Sequence, residues 1–473
     1  MYTALIVLYS LLALSLVVGL LLHGVRPSKT LAWLLAIFTI PVGGILLYFL
    51  LGRNRRIHKL HTLKEHERIK GFLQDVKKRW YLEDANVTHL AHYQRLSYLI
   101  ENNSGFSPTS QNSVQLLKNG QAAFNAIFRA IEQARNHIYV QYYIFEDGAL
   151  AQRMFHLFET KIKEGVRVKM IYDGVGSYSL SKKYIARLKA IGVEIFPFLP
   201  FKWDRFLTNL NYRNHRKILA IDGRIAFTGG MNIADKYVSG DPVLGKWHDM
   251  HIQLTGMAAQ QLEAIFTADL FIVSGDEGVF TQPNTVTHAG DSLVVQIAPG
   301  GPDDYFSTIG QAYFYMITNA KKYIYITNPY VIPGQELLEA LQVAARSGVD
   351  VRLLISEKAD SKLVSLTVRS YFEMLLKAGV KIYLFPDGFL HSKIIIMDDE
   401  VTSIGTANMD IRSFEQNYEV NAVMYDADFA KKLKTDFLLD CEKSKRITYA
   451  EFLKRSFWSK LKEGTAKIFS PIL

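Results

Sequence analysis

Two short blocks of the sequence carry the same reactive residue types at the same intervals. His215, Lys217, Asp222, Gly229 and Asn232 form the first, and His391, Lys393, Asp398, Gly405 and Asn408 form the second. Two imidazoles, two ammonium groups and two amides meeting at one point suit a phosphoryl group, whose non-bridging oxygens gather charge in the transition state. Lys217, Asn232, Lys393 and Asn408 would hold the phosphate. One neutral histidine would attack phosphorus and form a phosphohistidine, while the other, protonated, gives its proton to the departing oxygen. The spacing is symmetric, so it leaves open which histidine does which.

A histidine in either role needs a carboxylate behind Nδ1 to fix its tautomer, and corresponding positions of the two copies offer Asp249 (in WHDMHIQL) and Glu419 (in NYEVNAVM). Asp222 and Asp398 fall at +7 from their histidines, where strand alternation turns them to the opposite face and a turn aspartate bonds nearby backbone. Position alone therefore gives them a structural role. No metal or other cofactor is expected: the other histidines show no ligand spacing, and the two lysines supply the positive charge a cation would bring.

These residues must be positioned by strands. KILAID and KIIIMD are apolar β-type runs in which residues i and i+2 share a face, so each His and Lys points the same way. A turn at Asp222-Gly223 or Asp398-Asp399 returns a second strand to the glycine, which would let the backbone approach a ligand closely. Beyond the two blocks lies a longer repeat. Residues 134–140 (ARNHIYV) match 320–326 (AKKYIYI), 164–168 (EGVRV) match 347–351 (SGVDV), and 191–196 (IGVEIF) match 378–383 (AGVKIY). The alternation of helical pattern and β-branched runs predicts an α/β class: two tandem α-β-α sandwich lobes, over 111–288 and 289–440, each with a largely parallel sheet, related by a pseudo-two-fold axis. The first copy carries an aromatic, basic insertion, PFKWDRFLTNL, before its motif, placed as a loop near the mouth of the site.

Hydrophobic residues make up 49% of the 473-residue chain and charged ones 21%, which excludes a disordered or fibrous protein. A single cysteine, Cys441, cannot form an intramolecular disulfide. The formal net charge of +10 predicts attraction to polyanions, either nucleic acid or an anionic membrane. Residues 2–22 and 31–51 decide for the membrane, because neither stretch holds a charged side chain and each, at about 1.5 Å per residue, matches the roughly 30 Å hydrocarbon core. A two-helix transmembrane hairpin over 1–51 follows, with no nucleic-acid partner. Arg53, Arg55, Arg56, Lys59 and Lys64 outnumber Arg26 and Lys29 of the link, which places the connector 52–110 and both lobes on the cytoplasmic side. In the C-terminal segment 441–473, Tyr449, Phe452, Leu453, Phe457, Trp458 and Leu461 fall at helical spacing, with Lys454, Arg455, Lys460 and Lys462 largely on another face. This predicts an amphipathic helix lying at the membrane interface.

The doubled His-x-Lys-x4-Asp-x6-Gly-x2-Asn signature resembles that of the phospholipase D superfamily at every position. The RPSKTLAWLLAIFTIPVGGILLYFLLGRNRR hairpin, the run from Asn408 through Met409, Asp410, Ile411, Arg412, Ser413 and Phe414 to Asn417 and Glu419, and the final SPIL narrow the likeness to bacterial cardiolipin synthases of the two-span type. The resemblance implies a membrane-bound phosphatidyltransferase of the bacterial plasma membrane. One phosphatidylglycerol gives its phosphatidyl group to His215, releasing glycerol with His391 as acid. A second then attacks through its terminal hydroxyl, with His391 as base. It also counts Asp222 and Asp398 with the catalytic motif. The first copy departs in having no Asn-x-Glu, which makes Asp249 the looser transfer. The same intermediate would serve a phospholipase D hydrolase or another phosphatidyl exchange. Oligomeric state is not legible.

Overall fold

In the first repeated segment of each half, alternate residues of one strand face two different helical layers, and that alternation organises the molecule. The computed structural model describes residues 2–23, 27–48, 71–72, 93–200, 212–279 and 293–473. On the strand His137–Tyr142, Ile138, Val140 and Tyr142 enter a core with the helices Gly120–Glu132 and Ala149–Lys163. Between them Tyr139 stacks on Phe266, 4.8 Å between centroids, and Gln141 donates to Asp269, both on the helix Met257–Ser274. The strand Tyr323–Thr327 does the same: Ile324 and Ile326 enter the second core, while Tyr325 stacks on Phe437 of the helix Ala427–Lys443. Both faces of the sheet are thus covered, as an apolar strand interior requires.

The repeated segments become three strands of each half. His137–Tyr142, Arg167–Asp173 and Glu194–Phe198 pair in parallel, as do Tyr323–Thr327, Asp350–Ser356 and Lys381–Phe385. Along the continuous sheet the other neighbouring strands pair antiparallel, which corrects the expectation of a largely parallel sheet. The cause is local. Ile218–Ile221 returns as Ile225–Gly229, and Ile394–Met397 as Val401–Gly405, through turns too short for a crossover. Nor do the halves form separate sandwiches. Thr109–Leu117 pairs with Leu293–Gly300, fusing both halves into one continuous sheet whose strand order is mirrored about that junction.

The helix Gln94–Ser104, within the stretch expected as a connector, places Leu96 and Ile100 in the second core. The rest of the connector's basic cluster, Arg53 to Lys64, and residues 201–211 of the aromatic insertion lie outside the described residues. At the C-terminus, Lys445–Ile447 adds an antiparallel strand beside Lys381–Phe385, and Phe452 is buried in the second core.

The N-terminal helices form a unit apart from the sheet. Tyr2–His23 is helical throughout, but the second apolar stretch is divided into Pro27–Thr39 and Pro41–Leu47. Ile40 leaves the helical region at φ −123° and ψ 79°, as a residue preceding proline does, because the Pro ring crowds the α conformation behind it. Among the described residues no helix is long and apolar enough to cross a membrane. Ala13, Leu16, Leu20, Ile37 and Ile45 pack together, and Tyr9 donates to the Ile37 carbonyl at 2.9 Å. Trp33, Leu34 and Tyr48 pack partly against them, while Leu11, Leu14, Leu31, Leu35 and Phe38 are exposed.

Candidate active site

Each histidine sits one residue beyond a two-residue strand that crosses to the other half. Arg213–Asn214 pairs in parallel with Asn417 and Tyr418, and Phe389–Leu390 with Trp247 and His248. The backbone continues the register: His215 N–H donates to the Tyr418 carbonyl at 2.9 Å, and His391 N–H to the His248 carbonyl at 2.8 Å. The next residue on each partner strand is therefore the carboxylate. His215 Nδ1 lies 2.9 Å from both Glu419 oxygens, and His391 Nδ1 lies 2.8 Å from Asp249 Oδ2. Each carboxylate serves the histidine of the opposite half.

Lys217 and Lys393 are buried beside them, and each ammonium donates to the carbonyl of its own half's histidine, Lys217 at 2.8 Å. Asn232 is held at both ends: its oxygen accepts from Ile144 N–H at 3.1 Å, and its amide donates to Tyr237 Oη at 3.0 Å. Asn408 Oδ1 is buried without a protein partner. The two motifs share one field, since His215 is influenced by Lys393 and His391 by Lys217.

Asp222 and Asp398 stand outside this cluster and bond backbone, the role that their turn position gives them. Asp222 accepts the backbone N–H groups of Arg135, Asn136 and His137 at 2.7, 2.7 and 2.8 Å. Asp398 accepts those of Lys321, Lys322 and Tyr323 at 2.6, 2.8 and 2.9 Å. Both lie at the far end of their strands, at positive φ of 56° and 53°, pinning the hairpin to the first strand of the repeat. The glycines also serve packing. A Cβ on Gly229 would stand 2.6 Å from the Met250 carbonyl, and one on Gly405 would meet Asn421 at 2.1 Å, so they admit the strands carrying the carboxylates, not a ligand.

Residues 127–270 and 313–441 match the family described as cardiolipin synthase, PLD-like domain. The chain belongs to the cardiolipin synthase family. Residues 8–53 match a further family described as phospholipase D-nuclease N-terminal. Over 453 residues the chain is 42% identical to cardiolipin synthase 2 of Bacillus anthracis, covering 95% of this chain and 87% of that one. It is 38% identical to the major cardiolipin synthase of Bacillus subtilis strain 168 over 454 residues, 94% of each chain. The solved phosphatidylserine synthase of Haemophilus influenzae Rd KW20 superimposes with a TM-score of 0.59, over 80% of this chain and 100% of that one. At 14% identity that likeness shows the fold alone.

As a cardiolipin synthase family member the chain is an enzyme, and its site is electrostatically prepared. Burial pushes the imidazoles down, His215 to about 4 against the opposing pull of Glu419, and His391 to about 3, helped by Lys393. Burial likewise lowers Lys217 to about 7 and Lys393 to about 8. Burial alone would raise the carboxyls, but the adjacent histidine and lysine hold Glu419 and Asp249 below their ordinary range. Both imidazoles are thus neutral at neutral pH, with Nδ1–H given to a carboxylate and Nε2 left as a lone pair.

Several residues around the site escaped sequence reasoning. Tyr143 sets its ring edge-on to His215, 4.8 Å between centroids, and Trp247 packs against His391 at 5.2 Å. Tyr237 Oη lies 3.4 Å from His391 Nδ1. Thr406 donates to Glu419 Oε2. Arg216 forms a buried pair with Asp269 at 2.7 Å and donates to the carbonyls of Glu419 and Gly300, each at 3.1 Å, tying the halves together. Only Arg216 had a sequence cue, since it stands between His215 and Lys217 where the second motif has Ser392.

Proposed function

We propose that this site moves a phosphatidyl group from one phosphatidylglycerol to another through a phosphohistidine, giving cardiolipin and glycerol. His215 Nε2 attacks phosphorus, the P–N bond forms, the P–O bond to glycerol breaks, and His391 gives the leaving oxygen its proton. In the second step His391 takes the proton from the terminal hydroxyl of the second phosphatidylglycerol. That oxygen forms the new P–O bond, and the P–N bond to His215 breaks. Lys217, Lys393, Asn232 and Asn408 are assigned to the phosphate, and Asp249 and Glu419 orient the histidines. The carrying observation is the pair of crossed carboxylate contacts, which leave both Nε2 atoms free beside two lysines. An incoming phosphodiester anion raises the proton affinity of its neighbours, which lets one histidine arrive protonated. The assignment of His215 as nucleophile rests on the family resemblance.

The N-terminal helices are assigned to the bilayer as a two-span hairpin, with the sheet unit on the cytoplasmic side of a bacterial plasma membrane. The outward leucines of Tyr2–His23 and Pro27–Thr39 support this, since lipid accepts an apolar exterior that water does not. Product analysis with phosphatidylglycerol as sole lipid tests the reaction. Cardiolipin with equimolar glycerol is expected, and phosphatidic acid as the main product would replace the transferase with a hydrolase. Resistance of the full chain to alkaline extraction tests the hairpin.

A further inference from the structure

The helix Phe457–Lys467 is amphipathic the wrong way round for a helix that only packs on a fold. Its inward face carries Glu463, 3% exposed, and Ala466, also 3% exposed. Glu463 is held by two arginines, Arg369 at 3.2 Å and Arg455 at 2.8 Å, and Arg455 reaches on to Glu373 at 2.5 Å. Thr367 of the helix Lys362–Ala378 donates to the Ala466 carbonyl at 3.0 Å, fixing the rotation of the helix about its axis. Phe457, Leu461 and Ile468 lie at intervals of four and seven residues on the opposite face, 71%, 49% and 74% exposed, with Trp458 beside them at 66%.

A buried carboxylate between two arginines gains little over an apolar contact, so it does not account for turning the aromatic face outward. A partner for that face does. We propose that it is a docking surface for an anionic lipid bilayer. The charge around it selects that occupant over a second apolar protein surface. Lys454, Lys460 and Lys462 are all exposed along its flanks, while the exposed carboxylate closest to it in the chain, Glu451, is engaged by Thr448 in a capping box. Aromatic rings bordered by lysines match the boundary between acyl chains and anionic headgroups. The proposal deepens the reading of a lipid-acting enzyme and rests on it for the choice of a bilayer.

The test uses the full chain with Leu461→Cys, labelled with an environment-sensitive fluorophore. The native Cys441 is buried, which directs labelling to the new thiol. Reconstituted in vesicles of phosphatidylglycerol and phosphatidylcholine, the probe should shift to the blue. It should also be quenched by nitroxide-bearing lipid and become at least about threefold less accessible to iodide than in detergent. Lys454→Gln with Lys460→Gln and Lys462→Gln should weaken all three effects. Ile468→Cys supplies a second position should the first label perturb folding. Equal iodide access in detergent and vesicles at both positions would overturn the proposal. So would protection that requires high protein density, or disulfide pairing between copies through position 461, either of which would make a second copy the occupant. None of these readings needs turnover, so they stand apart from whether cardiolipin is the product.

Discussion

His215 and Glu419 are 204 residues apart in the chain and 2.9 Å apart in space. Neither half of the sheet therefore supplies the carboxylate that pairs with its own motif histidine. Each carboxylate arrives on the strand of the opposite half, so in the proposed mechanism the fused sheet is a condition of the chemistry and not only of stability.

The crossing makes a directional prediction. Glu419→Gln keeps shape and hydrogen bonding but removes the charge that stabilises a cationic His215, and it should lower kcat about 10²–10⁴-fold. Its signature is slow formation of the covalent lipid adduct. With a phosphatidyl ester whose leaving group needs no acid, Asp249→Asn should instead form adduct and slow its discharge, because Asp249 is paired with His391. Rapid-quench measurement of adduct in both variants decides. If Asp249→Asn abolished adduct while Glu419→Gln accumulated it, the nucleophile would be His391.

The pH dependence follows from burial. Lys217 and Lys393, lowered to about 7 and about 8, lose their charge in the free enzyme as pH rises through those values. kcat/KM should therefore fall between about pH 7 and 9, with kcat falling at higher pH because bound phosphate restores the charge. A flat kcat/KM over that range would contradict buried, lowered lysines. Stability moves the other way. His215, His391 and His251 have folded-state values of about 4, 3 and 4, below the unfolded 6.5, so the unfolded chain binds more protons between these values. Their contribution is whole above pH 6.5 and is lost as pH falls toward 4. His251→Asn should remove about 2–3 kcal/mol of that acid loss, read from urea midpoints against pH.

What the sequence made legible was local: the doubled motif, the strand-turn-strand around it, and the residues grouped on one strand face. Asp222 and Asp398 were readable as turn residues because alternation over seven positions is a short-range geometry. The partnership of each carboxylate was not, because Asp249 and Glu419 reach their histidines through strand pairs that cross between halves, and a repeat looks the same whether its parts pair within a copy or between copies. The expectation of a largely parallel sheet fails for a related reason. The three repeated segments are parallel, and the hairpins that hold the chemistry are the antiparallel remainder. Tyr143 and Trp247 left no signal, since an aromatic residue near a site in space has no mark in spacing.

Asp222 offers a separation of stability from chemistry. Asp222→Ala strips three backbone N–H groups of their acceptor and should destabilise the fold by about 2–4 kcal/mol, measured by urea unfolding. Turnover per folded molecule, counted by adduct titration, should stay within about twofold. A large loss of turnover at unchanged stability would return Asp222 to the chemistry.

Tyr237 should make the two histidines unequal. Its hydroxyl accepts from Asn232 at 3.0 Å and stands 3.4 Å from His391 Nδ1, whereas the equivalent position after Asn408 is Ser413. The phenol oxygen thus links Asn232, assigned to the phosphate, to the histidine of the second motif, beside the Nδ1 that faces Asp249. Tyr237→Phe should lower kcat about tenfold with natural phosphatidylglycerol, change KM little, and shift the limb of the pH profile that belongs to His391. A phosphatidyl ester with a very good leaving group needs no acid for its first step. With that substrate Tyr237→Phe, like His391→Ala, should release the leaving group in a burst and accumulate adduct, while His215→Ala gives neither. If Tyr237→Phe suppressed the burst while Ser413→Ala slowed discharge, the tyrosine would serve the nucleophile, and the acid and base work would pass to His215.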